Sequence, residues 1–197
     1  MKIGLLGGSF NPIHKGHLAI AETAITKLAL DQIWFVPTAY HPFKHKNELL
    51  DFEDRLKLLS KVIENYPCYK ISLLDSNQEN KNFTYDLVNK LQKTNSTDEL
   101  YFIAGSDIIN ELHLWYKYDW LLENLNFVII KRPDFKIHSD LDQAQFNKLQ
   151  FLEMEPVPIS SSEIRRRIKK NQPIKGLVPD IIISDTVKYY KQLNTII

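Results

Sequence analysis

Short apolar runs alternate with stretches of helical spacing along most of the chain, and that alternation restricts the fold more than any other feature. Ile3, Gly4, Leu5 and Leu6 read as a first buried strand, ended by Gly7 and Gly8. Leu18, Ala21, Ile25 and Leu28 then recur on one helical face. Residues 33–36 form a second strand before Pro37, and Asp51 can cap a helix carrying Leu56, Leu59 and Ile63. A third strand is expected over residues 69–74, followed by a helix capped by Thr84 with Leu87, Val88 and Leu91 on its apolar face. Residues 100–104, 127–130 and 151–154 supply a fourth, fifth and sixth apolar run. Ser161 can cap a basic helix, and Pro179 suits the start of a last one. Residues 132–148 are polar and read as an irregular connection.

Strands alternating with helices mean right-handed βαβ crossovers, hence an α/β chain with a doubly wound, mainly parallel sheet of five to six strands and a C-terminal helical tail. In such sheets ligands sit beyond the carboxyl ends of the strands, where the winding reverses. The chemistry is therefore expected in the loops after the first, second and fourth strands and before the basic helix. At 197 residues, with no divisive linker, the chain is expected to be one domain over residues 1–197, its C-terminal helical part covering about 160–197.

Composition excludes several alternatives. With 44% hydrophobic and 25% charged residues the chain is neither disordered nor of low complexity. A net charge of +1 argues against binding nucleic acid by bulk charge. The total hides a contrast, because residues 163–175 carry six Lys or Arg against one Glu, and residues 98–126 carry six Asp or Glu against Lys117. One cysteine, Cys68, excludes a disulfide framework and a cysteine metal cluster. No run approaches the ~18 apolar residues of a membrane span, and residues 1–10 are too short and glycine-rich for a secretory signal. A cytoplasmic protein without membrane or nucleic-acid partners is expected, its oligomeric state left open.

The first strand runs directly into Gly7, Gly8, Ser9, Phe10, Asn11, Pro12, Ile13, His14, Lys15, Gly16 and His17. Neither the Walker A loop nor the GxGxxG fingerprint is present. Two glycines after a buried strand let a ligand approach the backbone. His14 and His17, three apart at a helix start, share one face. The unpaired N–H groups and the helix dipole there favour an anion. Strand, glycine pair and paired imidazoles thus describe a phosphate site that needs no metal.

This segment resembles the glycine–histidine signature of the HIGH-type nucleotidyltransferases, with His14 and His17 on its two histidines. The resemblance implies a Rossmann-like fold and a role for both in contacting nucleotide phosphates and stabilising a pentavalent transition state. Asn11 stands where many members carry Asp. Near the C-terminus, Ile159 to Arg165 resembles the family's serine-rich motif, which implies phosphate contacts for Ser160, Ser162 and Arg165. A serine run before a helix also supplies caps and hydroxyl donors. Arg165 in the first turn can fork onto phosphate oxygens. Arg166, Arg167, Lys169 and Lys170 read as a solvated basic face.

Intermediate segments narrow the branch. Gly105, Ser106 and Asp107, followed by Leu112 and Trp115, resemble a block of the bacterial nicotinate mononucleotide adenylyltransferases. By that resemblance Gly105 and Asp107 approach the adenosine part of ATP, and Trp115 stacks on the pyridine ring. Thr84 matches a loop whose backbone meets the nicotinate carboxylate. Lys44 matches a phosphate-facing lysine, and Phe43 replaces the usual His beside it. Trp34 and Trp120 are expected in the core.

The expected reaction is transfer of the adenylyl group of ATP to nicotinate mononucleotide, giving deamido-NAD and pyrophosphate, with Mg²⁺ carried on the ATP. His14, His17, Lys44 and Arg165 are the catalytic candidates. Gly7, Gly8, Ser9, Phe10, Gly105, Asp107, Ser160 and Ser162 are the ATP-binding candidates, and Thr84 and Trp115 those for the mononucleotide. No residue is expected to be a dedicated metal ligand. Nicotinamide mononucleotide or phosphopantetheine as acceptor, or a non-catalytic nucleotide-binding module, remain as alternatives.

Overall fold

The computed structural model describes residues 1–38, 49–73, 84–94, 97–131 and 140–195. Six parallel strands form one sheet: β1 (Lys2–Gly8), β2 (Gln32–Pro37), β3 (Tyr69–Ile71), β4 (Glu99–Gly105), β5 (Asn126–Ile130) and β6 (Leu149–Leu152). Their order is β3-β2-β1-β4-β5-β6, so the winding reverses between β1 and β4. The helices are α1 (Lys15–Leu28), α2 (Phe52–Ile63), α3 (Thr84–Thr94), α4 (Tyr118–Asn124), α5 (Gln143–Phe146), α6 (Ser161–Lys169) and α7 (Ile183–Thr195).

Alternation along each strand divides the interior in two, because successive side chains point to opposite faces. Leu6, Ile33, Phe35, Ile103, Val128 and Ile130 pack on one side with residues of α1, α2, α6 and α7. Ile3, Leu5, Phe102, Phe127 and Ile129 pack on the other with α3, α4 and the 3₁₀ segment that carries Ile109. Layers on both faces confirm the doubly wound expectation. Trp34 and Trp120 are partly buried against the second layer.

Several boundaries differ from the sequence reading. The glycine pair does not end β1; Gly7 and Gly8 continue it, paired with Val36 and Pro37. Ser160, not Ser161, caps α6, its hydroxyl accepting from the Glu163 N–H at 3.1 Å. Thr84 is the first residue inside α3 rather than its cap, within the usual one-residue latitude of helix ends. The last strand is shifted two residues earlier, to Leu149–Leu152, where Leu149 and Leu152 are the buried positions. β3 closes at Ile71, although the Ser72 N–H still bonds the Phe35 carbonyl at 2.9 Å; Leu74 lies outside the described residues. The polar connection contains α5, started by a capping box between Asp142 and Gln145. Four residues are too few for periodicity to reveal.

Candidate active site

The carboxyl ends of β1, β2 and β4 lie side by side, so their loops share one rim of the sheet. Gly7 is exposed there, and the Thr38 N–H bonds the Gly8 carbonyl at 3.0 Å, joining the first two loops. Phe10 then takes a left-handed backbone, φ 43°, which costs a side chain with a Cβ about 1–2 kcal/mol. Its ring is buried, with centroids 5.0 Å from His17 and 5.6 Å from Phe35, and this packing holds the turn.

His14 is the N-cap of α1, and His17 sits three residues on. Their rings stack with centroids 3.7 Å apart. The His14 backbone N–H donates to His17 Nδ1 at 3.2 Å. An accepting Nδ1 carries a lone pair, so the proton of neutral His17 resides on Nε2, a donor suited to an anionic oxygen. The helix N-terminus adds its partial positive charge at the same place.

The C-terminal helices clamp this loop. Asn11 is fully buried, and its Oδ1 accepts from the Leu50 N–H at 3.1 Å and from the Tyr190 hydroxyl. Arg165 Nη1 donates to the Asn11 carbonyl at 2.9 Å and its Nη2 to Ser162 Oγ at 3.1 Å. A guanidinium has five N–H donors, so these two bonds fix Arg165 without exhausting it. Ser161 Oγ donates to the Pro12 carbonyl at 3.0 Å, and the Lys15 N–H to the Leu177 carbonyl at 3.0 Å. Burial pushes the Tyr190 phenol far up, against Arg165 and Arg55, so it remains a donor. Arg166 and Arg167 instead both bond Glu163, and hydrogen bonds from the two lower that carboxyl to about 2. Those two are thereby tied to their own helix.

Across the reversal, Gly105 ends β4 and begins the 3₁₀ segment Ser106–Asn110, on which Asp107 lies. Trp115 is half-buried, edge-on to Phe102 at 5.6 Å. A Cβ on Gly7 would meet that same Phe102 ring at 3.7 Å, so Trp115 borders the glycine loop through one aromatic neighbour. Tyr85, beside Thr84, contacts the Tyr116 ring at 5.6 Å, which brings the start of α3 to the Trp115 segment. Thus His14, His17, Gly7–Phe10, Ser162 and Arg165 gather on one side of the rim, with Thr84 and Trp115 across it. Ser160 acts here as a helix cap. Lys44 lies outside the described residues.

A cytidylyltransferase-like family model matches residues 5–167. The chain is 35% identical over 193 residues to the nicotinate-nucleotide adenylyltransferase of Bacillus subtilis, covering 98% of this chain and 96% of that one. The chain belongs to this family of nucleotidyltransferases. A probable nicotinate-nucleotide adenylyltransferase of Clostridium tetani is also 35% identical, over 95% of this chain and 97% of its own. Among solved structures, the Plasmodium falciparum nicotinic acid mononucleotide adenylyltransferase complexed with NaAD superposes with a TM-score of 0.78 at 26% identity, covering 98% of this chain and 97% of that one.

Within the family fold, two residues outside the motifs support the loop, Arg55 and Tyr190. Both are buried, and neither stands out as a site residue by its type. No helix of the described residues is long and apolar enough to cross a membrane. Among the described residues no group of three His, Cys, Asp or Glu side chains is placed to hold a metal ion. The donors at the rim, imidazoles and guanidinium, suit phosphate rather than a hard cation.

Gly16 tests the histidine pair. A Cβ there would lie 3.0 Å from His14 Cε1 and Nδ1 and 3.5 Å from the Ile159 carbonyl. Gly16→Ala therefore displaces the His14 ring by tenths of an ångström, and kcat/KM is expected to fall about 10-fold. The melting temperature should change little, because alanine gains about 1 kcal/mol of helix preference over glycine. Unchanged kcat/KM would show that the His14 ring position does not matter.

Proposed function

We propose that this chain transfers the adenylyl group of ATP to nicotinate mononucleotide, forming deamido-NAD and releasing pyrophosphate. The observation that carries the reading is the stacked His14–His17 pair at the N-terminus of α1, beside the glycine loop and across the rim from Trp115. Its relatives of near-equal length bear the same activity in their names.

A phosphate oxygen of the mononucleotide attacks the α-phosphorus of ATP in line. The new O–P bond forms as the bond to the β-phosphate bridging oxygen breaks, and pyrophosphate leaves. The nucleophile is already anionic near neutral pH, so the protein's tasks are positioning and charge stabilisation. His14 and His17 donate to oxygens whose charge grows in the transition state. Arg165 and Lys44 offset the triphosphate charge, and Ser162 steadies Arg165. Gly7, Gly8, Ser9 and Phe10 bring backbone close to the phosphates, with Ser160 at the adjoining helix cap. Gly105 and Asp107 border the adenosine. MgATP is the substrate form, its cation held on the phosphate oxygens. Thr84 receives the nicotinate carboxylate and Trp115 its ring. We place this chemistry in the cytoplasm. We also place it in a single nucleotidyltransferase domain over residues 1–197, which the bonds from α6 and α7 to the loop after β1 support.

Pyrophosphate release with MgATP and nicotinate mononucleotide, together with detection of deamido-NAD, tests the reading. No release would overturn it, and preferred use of nicotinamide mononucleotide or phosphopantetheine would reassign the acceptor. Trp115→Ala is expected to raise KM for the mononucleotide about 10-fold, the scale of one aromatic stack, and KM for ATP less than about 2-fold. Equal effects on both substrates would count against ring stacking.

A further inference from the structure

Arg55 belongs to none of the recognised motifs, yet its side chain is 1% exposed and ends beneath the rim of the site. It enters from α2 on the stripe formed by Phe52, Leu58, Leu59 and Val62, which faces the sheet. Nε donates to the Leu50 carbonyl at 3.0 Å. Nη1 donates to the Ser9 carbonyl at 2.6 Å and to the Thr38 carbonyl at 2.9 Å. Ser9 follows the glycine pair of β1, Thr38 follows β2, and Leu50 leads into α2. One planar cation therefore fixes the meeting point of three segments distant in sequence.

Burying a cation is costly, and an apolar side chain of similar size would fill this space without that cost. The guanidinium's distinguishing property is a rigid fork of donors, which sets carbonyl positions as a flexible ammonium cannot. The carbonyl it holds most closely adjoins Phe10, whose left-handed backbone needs support from its surroundings. We propose that Arg55 is a positioning residue for adenylyl transfer, locking the Ser9 and Thr38 backbone together so that the glycine loop after β1 keeps its phosphate-binding shape. The proposal rests on the adenylyl-transfer reading above.

Arg55→Met removes the donors and keeps much of the volume. Its melting temperature is expected to fall by several degrees, because the Leu50, Ser9 and Thr38 carbonyls lose their donor, partly offset by relief of the guanidinium's burial cost, so kinetics are read well below the transition. kcat is expected to fall about 30–100-fold, the scale of a sub-ångström to ångström misplacement, and the calorimetric Kd for MgATP to rise about 5–10-fold. KM for the mononucleotide should move less than about 3-fold, because Trp115 and Thr84 make no bond to Arg55. Arg55→Lys keeps the charge without the fork and should recover part of kcat. Wild-type kcat in Arg55→Met, wild-type kcat in Arg55→Lys, or a loss that only tracks a falling melting temperature overturns the proposal. Should Arg55→Met not fold, Arg55→Lys decides alone. A kcat at least about 5-fold down at unchanged melting temperature supports the positioning role, and wild-type kcat overturns it. Absence of pyrophosphate release by the wild type would overturn the function reading instead. The MgATP affinities of wild type and Arg55→Met would then still decide the loop proposal, equal values overturning it.

Discussion

Replacing His17 by alanine is expected to lower kcat by about 10²–10³-fold, the usual scale for losing one transition-state donor. The His17 ring is held through three contacts: the His14 ring at 3.7 Å, the Phe10 ring at 5.0 Å, and the His14 N–H on Nδ1. That last bond leaves the Nε2 proton as the imidazole's donor. A donor fixed before the substrate arrives needs no reorganisation as charge develops on the phosphate oxygens. The same substitution also removes an acceptor at the start of α1, a capping loss of about 1 kcal/mol. For a protein of this length that lowers the melting temperature by about 2–4 °C. Steady-state kinetics on a variant shown folded by circular dichroism separates the two effects. Near-normal turnover would falsify the role given to His17.

The second large effect concerns stability. Asn11→Ala removes one oxygen that satisfies two buried donors, the Leu50 N–H and the Tyr190 hydroxyl. Each orphaned buried donor costs about 1–3 kcal/mol, so a loss of about 2–6 kcal/mol is expected. The melting temperature should drop on the order of 10 °C. Asn11→Asp should lose much less, because a carboxylate oxygen can still accept from both donors. Its charge would also meet Arg165, which bonds the residue's own carbonyl, and Arg55 near the same phenol. Thermal melts of Asn11→Ala, Tyr190→Phe and the double variant measure the coupling directly. Strictly additive losses would show that the Asn11–Tyr190 bond contributes nothing.

Much of the fold was legible because buried parallel strands must be short apolar runs and crossover helices must show a 3.6-residue period. Each strand the sequence offered exists in the sheet. What slipped was where strands end, since pairing depends on the neighbour; β1 runs to Gly8 because Pro37 of β2 is there to pair with it. Of the candidate site, the glycine–histidine segment and the Ser160–Arg165 turn were visible because each is continuous in sequence, and the structure brings them together. Arg55 was missed, although a signal existed. It lies three residues from Phe52 and from Leu58 on the apolar stripe of α2, a position where a charge demands an explanation. Its partners are backbone carbonyls, which carry no residue identity, so nothing in the sequence could name them. Tyr190 gave no comparable warning, since an aromatic on a helix is ordinary core.

The bonds from Tyr190, Arg165 and Ser161 to Asn11 and Pro12 span 179, 154 and 149 residues. Their consequence is temporal. During synthesis the sheet is complete once Leu152 has emerged, yet the turn at Asn11 still lacks its fasteners. Such distant closures are slow to find, because the intervening chain must first be ordered. A nascent chain therefore has all six strands at Leu152 but lacks α6 and α7, which both cover one face of the sheet and fasten the turn at Asn11.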